Sequence, residues 1–155
     1  MPIVSFNNKA RASLQEKFFE DIAVIFYKTA KFKKHLPISF AILNNNDMQK
    51  FNKIYRGIDT PTDVLSFSEK DSMEEFPIKE KFFGEIIISL QKAKEQAKKN
   101  KHSLESEMCI LFVHGLAHLS GYGHNNNSEE KVMKKLEKNI LEKVSKKIGI
   151  SIHYD

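Results

Sequence analysis

The chain reads as an α+β protein, a single compact domain over residues 1–155 in which a small sheet packs against several helices. Three observations carry that expectation. At 155 residues the length suits one domain, enough to bury about two-thirds of the unfolded surface. Segments of strand-like and helix-like periodicity are mixed rather than strictly alternating. No linker, internal repeat or low-complexity stretch divides them. With 41% hydrophobic and 29% charged residues, the composition is that of an ordinary globular chain.

The elements follow in order. Pro2 to Phe6 reads as a first strand. Leu14, Phe18, Ile22, Ile25 and Phe26 recur at helical spacing, which predicts a long amphipathic helix from about Arg11 to Lys33. Pro37 ends that unit, and Ile38 to Leu43 reads as a second strand. Asn44 to Asp47 is a turn with N-cap candidates, leading into a short helix through Met48, Phe51 and Ile54. Asp63 to Ser68 and Gly84 to Ile88 are the next strands, separated by a long polar loop that suggests function or mobility. Ser89 caps a basic helix to about Lys101, and Ser103 caps the next, which has Glu107 near its start. Ser128, Glu129 and Glu130 open a last helix to about Lys147.

Several classes are excluded. The longest apolar runs, Ile86 to Ile88 and Cys109 to Val113, fall far short of the ~20 residues of a membrane span. The start, Met1-Pro2-Ile3-Val4, reads as a strand rather than a leader. Cys109 is the single cysteine, so no internal disulfide forms and a reducing cytoplasm fits. The net charge is +5, from 23 lysines and only two arginines, Arg11 and Arg56. Lysine-rich faces serve solubility or bind polyanions. Lys92, Lys94, Lys98, Lys99 and Lys101, opposed only by Glu95, concentrate the charge and favour an anionic substrate.

The densest chemistry lies in His114-Gly115-Leu116-Ala117-His118-Leu119-Ser120-Gly121-Tyr122-Gly123-His124. Residues four apart on a helix share a face, so His114 and His118 can converge on one ion. Gly121 can take the left-handed conformation that ends a helix and return His124 as a third ligand. Three imidazoles leave one position open, as in catalytic zinc sites. Nickel, copper or iron also accept nitrogen ligands, and a hydrogen-bonded histidine cluster is the alternative without metal. Ligation needs neutral imidazole, so affinity is expected to fall below about pH 6.5. The spacing equals that of long-motif zinc proteases, but Gly115 stands where those enzymes carry their glutamate base. Glu107 is either a partner of a ligand histidine or a first-turn residue favoured by the helix dipole.

The second dense segment is Asn52 to Phe67. Arg56 can clamp a phosphate with its planar fork and stabilise charge during phosphoryl transfer. It can equally be a cation at a helix C-terminus capped by Gly57. Thr62 and Asp63 are turn and strand-entry residues, and Asp63 is a candidate to orient Arg56 or a ligand histidine.

These residues resemble the bacterial YbeY endoribonuclease family, also called rRNA maturation factors. The family's histidine motif, roughly H-G-x-L-H-L-x-G-Y-D-H, matches His114 to His124. Its Tyr-Arg followed by Pro-Thr-Asp-Val-Leu-Ser-Phe matches Tyr55-Arg56 and Pro61 to Phe67. Its Gly-Glu/Asp-Ile-x-Ile-Ser strand matches Gly84 to Ser89. Ala117 replaces the usual leucine and Gly123 the usual aspartate, which removes a carboxylate beside the third ligand. The resemblance implies a compact α+β fold with a small, mostly parallel sheet and a metal in a basic cleft. It implies a zinc-dependent, single-strand-specific endoribonuclease of the cytoplasm, acting in small-subunit rRNA 3′-end maturation and ribosome quality control. Single-stranded rRNA, the small ribosomal subunit and its assembly factors are the implied partners, with no membrane. His114, His118 and His124 carry over as ligands of one zinc ion, and Arg56 as the catalytic arginine. The alternatives are a non-catalytic assembly factor stapled by its metal and a metalloprotease.

Overall fold

The computed structural model describes residues 2–68, 82–121 and 126–154. Strands β1 (Val4–Asn8), β2 (Ile38–Leu43), β3 (Val64–Ser68) and β4 (Gly84–Ser89) form one sheet in the order β1-β2-β4-β3. β2 runs parallel to β1 and β4, whereas β3 is an antiparallel edge strand on β4. The helices are α1 (Glu16–Thr29), α2 (Asn45–Arg56), α3 (Leu90–Lys99), α4 (Leu104–Leu119) and α5 (Asn127–Ile148). This is the expected α+β class with a mostly parallel sheet. No described helix is long and apolar enough to cross a membrane.

Side chains alternate between the faces of a strand, and here the two faces meet different helices. Phe6, Phe40 and Ile86 lie in register across three strands. Phe40 packs its ring 4.5 Å from Phe19 of α1 and 4.8 Å from Phe112 of α4, centroid to centroid. The opposite face carries Leu43, Leu65, Phe67 and Ile87, covered by Met48, Phe51 and Tyr55 of α2. Between Met108 and Ala117 of α4 only Ile110 and His114 escape full burial. A helix apolar on nearly every side belongs in the middle of the fold, and α4 lies between the sheet, α1, α3 and α5.

Two glycines permit the closest approaches. A methyl group at Gly115 would meet the Ile86 side chain at 3.2 Å, so α4 sits against β4 at this point. At Gly84 a Cβ would stand 2.7 Å from the Phe67 carbonyl oxygen and 2.8 Å from Leu119 Cδ1. The carbonyl belongs to the neighbouring strand and has little freedom to yield. Gly84→Ala is expected to lower stability by about 1–3 kcal/mol, read as a shifted denaturant midpoint. An unshifted midpoint would show that the sheet relaxes freely there.

Element ends differ from the sequence expectation for local reasons. α1 starts at Glu16 rather than near Arg11. Arg11 has φ 56°, and the Asn8 side chain bonds both the N–H and the carbonyl of Ala12, folding a turn there. Leu14 is buried without being helical. α1 ends at Thr29 because Lys31 turns left-handed and the N–H of Phe32 reaches back to the Tyr27 carbonyl. β1 begins at Val4 rather than Pro2, and the N–H groups of Ile3 and Val4 both donate to the Glu20 carboxylate at 2.7 Å. Asn126, not Ser128, caps α5 by accepting from the N–H of Glu129. Most of the long loop predicted between β3 and β4 lies outside the described residues.

Candidate functional site

The last turns of α4 bring His114 and His118 to one face, with ring centroids 6.4 Å apart and planes within 9°. The helix then closes at Ser120, and Gly121 adopts φ 97°, the left-handed turn expected of it. The third predicted ligand, His124, lies outside the described residues. Among the described residues no three His, Cys, Asp or Glu side chains come together as a metal site.

His114 and His118 share a cavity of about 250 Å³ with Arg56, Thr62, Asp63, Val64, Ser66 and Gly115. Local chemistry accounts for each wall. Asn44 caps α2 through the N–H of Asp47, and Gly57 ends it with φ 70°. Buried Asn52 donates to the Thr60 carbonyl at 2.8 Å, and Gln49 donates to the Asp59 carbonyl at 3.1 Å. These bonds fold the chain back beside α2, so Arg56, Thr62 and Asp63 meet at one end of the helix. Period-two alternation along β3 then sends Leu65 and Phe67 beneath α2 and Val64 and Ser66 toward α4.

Arg56 is the last residue of α2 and also a wall of the cavity. Among the described residues no carboxylate forms an ion pair with it. Asp63 therefore does not orient Arg56. Its carboxylate accepts from the Val64 N–H at 2.8 Å and from Gln96 of α3 at 3.1 Å. Its charge instead acts on His114.

The partner of His114 is a residue that the sequence reading passed over. Nδ1 of His114 lies 3.1 Å from Oε1 of Glu137, a carboxylate of α5 that is only 2% exposed. The Tyr154 hydroxyl donates to the other oxygen, Oε2. The hydrogen bond with Glu137 raises the pKa of His114 above the ordinary 6.5; burial opposes this, and the charges of Glu137 and Asp63 add to it. Burial, then the bond to Glu137, pushes the Tyr154 phenol up. Glu107, considered above as a histidine partner, serves another one. It accepts from Asn100 at 3.1 Å and lies 3.4 Å from buried His102, away from the cavity.

The two described imidazoles are donors of a kind that zinc accepts. Two imidazoles one turn apart share a face, and the inner one is held at Nδ1 by a carboxylate, as ligand histidines in zinc sites commonly are.

The family profile described as endoribonuclease YbeY matches residues 4–145. A Mycoplasmopsis pulmonis protein named endoribonuclease YbeY is 36% identical over 151 residues, covering 94% of this chain and 98% of its own length. One of the same name from Bacillus licheniformis is 48% identical over 109 residues, covering 67% of this chain and 69% of that one. The solution structure of a Thermotoga maritima protein superposes with a TM-score of 0.64 over 93% of this chain and 90% of that one. At 24% identity that likeness concerns the fold.

Proposed function

The chain belongs to the endoribonuclease YbeY family, and on that premise we propose that it is a zinc-dependent endoribonuclease specific for single-stranded RNA. Its proposed work is 3′-end maturation of small-subunit rRNA and ribosome quality control in the cytoplasm, in company with the small subunit and its assembly factors. One observation carries the reading: two imidazoles from α4 and an arginine from the end of α2 line the same cavity.

A zinc ion held by His114, His118 and His124 would supply Lewis-acid polarisation of the scissile phosphate and acidification of water. The chain's own groups divide the remaining tasks. The Arg56 guanidinium offers two parallel donors to a phosphate and stabilises the extra negative charge of the transition state. Exposed lysines of α3, including Lys94, Lys98 and Lys99, can hold the strand by its phosphates, which fixes position without reading bases. α3 is tied to the cavity wall through Gln96 and Asp63. Attack by water or by the RNA's own 2′-hydroxyl is distinguished by a substrate with one 2′-deoxy nucleotide at the scissile position. Cleavage of that strand excludes the 2′-hydroxyl.

Two rival readings fare worse. A protease would need a base next to His114, and the position holds Gly115, against which Ile86 packs. A metal staple would sit where the core is thin, yet Phe19, Phe40 and Phe112 close a buried core behind α4.

A pH dependence follows. The folded-state pKa of His114 is raised, so in the metal-free protein its ion pair with Glu137 stabilises fully below the ordinary imidazole value. That contribution is lost as pH rises through the raised value. Zinc requires the neutral ring, so its apparent affinity is expected to be level above the raised pKa. Below it, affinity falls about tenfold per pH unit for each proton displaced. Chelator competition across pH checks this, and a decline that begins only well below pH 6.5 contradicts it.

The deciding assay uses highly purified protein on single-stranded RNA and on a duplex of the same sequence, after chelation and after zinc is restored. Cleavage of the single strand alone, lost and regained with the metal, is the expected result. Cleavage indifferent to chelation would remove zinc from the account.

A further inference from the structure

We propose that Glu137 and Tyr154 form a buried positioning relay behind His114, holding its ring and keeping the proton on Nδ1 and the lone pair on Nε2. The inference rests on the metal reading above and deepens it. Neither residue lines the cavity, so both act through His114.

The first argument is placement. Met133, Glu137, Ile140, Leu141 and Val144 are the buried residues of α5, a stripe that is apolar except for one carboxylate. A carboxylate in such a place is costly unless its oxygens are hydrogen-bonded. Each oxygen of Glu137 has a partner, His114 on one and Tyr154 on the other. A carboxylate so held accepts from Nδ1–H, and a neutral imidazole that donates from Nδ1 keeps its acceptor lone pair on Nε2.

The second argument is that the chain builds a dedicated support for Tyr154. Gly149 turns left-handed with φ 80° at the end of α5. Two serine hydroxyls then hold the segment that follows: Ser145 of α5 donates to the Ile150 carbonyl, and Ser106 of α4 donates to the Ser151 carbonyl. Ile150, Ile152 and Tyr154 pack against the core. The segment 150–154 thus belongs to the site although it is far from the histidine motif in sequence. The His114 side chain is 36% exposed, and the bond from Glu137 holds its buried nitrogen side.

The test compares zinc affinity, by chelator competition at one pH, for the wild type, Glu137→Ala, Glu137→Gln, Tyr154→Phe and the Glu137→Ala/Tyr154→Phe double variant. Glu137→Ala is expected to weaken binding about 10–100-fold. Glu137→Gln keeps an acceptor oxygen and the volume, so it loses less and serves if the alanine variant is poorly folded. Tyr154→Phe weakens binding by a smaller factor in the same direction. The double variant is no worse than Glu137→Ala alone, because Tyr154 acts only through Glu137. Nitrogen NMR of the metal-free, neutral ring is the second readout. It shows His114 protonated on Nδ1 in the wild type and a tautomer mixture in Glu137→Ala. Unchanged affinity in both Glu137 variants, additive losses in the double variant, or an Nε2-protonated wild-type ring would each overturn the relay. Should the wild type bind no zinc, the metal reading fails by itself, and the NMR result still decides the relay.

Discussion

His114→Ala is expected to lose zinc and to cut RNA cleavage on the order of 10³-fold or more, while the chain stays folded. A Lewis acid at the scissile phosphate contributes several kcal/mol of transition-state stabilisation, and each 1.36 kcal/mol is about tenfold in rate. The variant does carry a structural cost, because Glu137 loses a donor in a buried place. Leaving such a group unsatisfied costs about 1–3 kcal/mol, a loss that a complete core can absorb. His118→Ala is the cleaner companion, since His118 lies on the exposed side of α4. Both variants are expected to give native circular dichroism and cooperative unfolding with little zinc bound. If His118→Ala unfolds outright, the metal staples the fold and the catalytic reading loses its ground. If both cleave RNA as fast as the wild type, the activity belongs to a contaminant.

Arg56→Ala is expected to reduce kcat roughly 10²–10³-fold, the usual cost of removing a preorganised donor to developing charge. Zinc content should not change, because Arg56 lies on α2 and is no ligand. Arg56→Lys restores the charge without the planar fork, so it recovers only part of the rate. The alternative role, a cation at the end of α2, predicts a different outcome. Its removal would cost stability by about 0.3–1 kcal/mol and leave kcat alone. A kinetic loss at constant stability therefore assigns Arg56 to the chemistry, and a stability loss at constant kcat assigns it to the helix.

Legibility of the molecule in its sequence divides along physical lines. The α+β class, the four strands and the helices near the site were readable because their apolar periodicities coincide with what is buried. β3 is the clearest case, its alternation sending Leu65 and Phe67 one way and Ser66 the other. The shared face of His114 and His118 followed from helical spacing alone. The start of α1 departs from the sequence expectation because Leu14 keeps helical spacing yet is buried by tertiary packing after an Asn8-held turn. Helix periodicity cannot separate those causes.

The partners of the site residues were harder to foresee. Glu107 precedes His114 on the same helix, yet it meets Asn100 and His102 instead. Glu137 lies 23 residues beyond His114 on another helix, and pairing across that separation is set by how α4 and α5 dock. A signal was nevertheless present. A glutamate inside the apolar stripe of α5 has to be paired, and only a nearby donor can pair it. Tyr154 left no comparable trace, because its position depends on serine bonds to backbone carbonyls of residues 150 and 151.

Zinc K-edge X-ray absorption on the purified, zinc-saturated, RNA-free protein tests the central claim most directly. The account predicts one zinc per chain bound by three imidazoles and one oxygen donor, with little zinc retained by His118→Ala. No stoichiometric zinc, or a shell made up entirely of protein side chains, would contradict it.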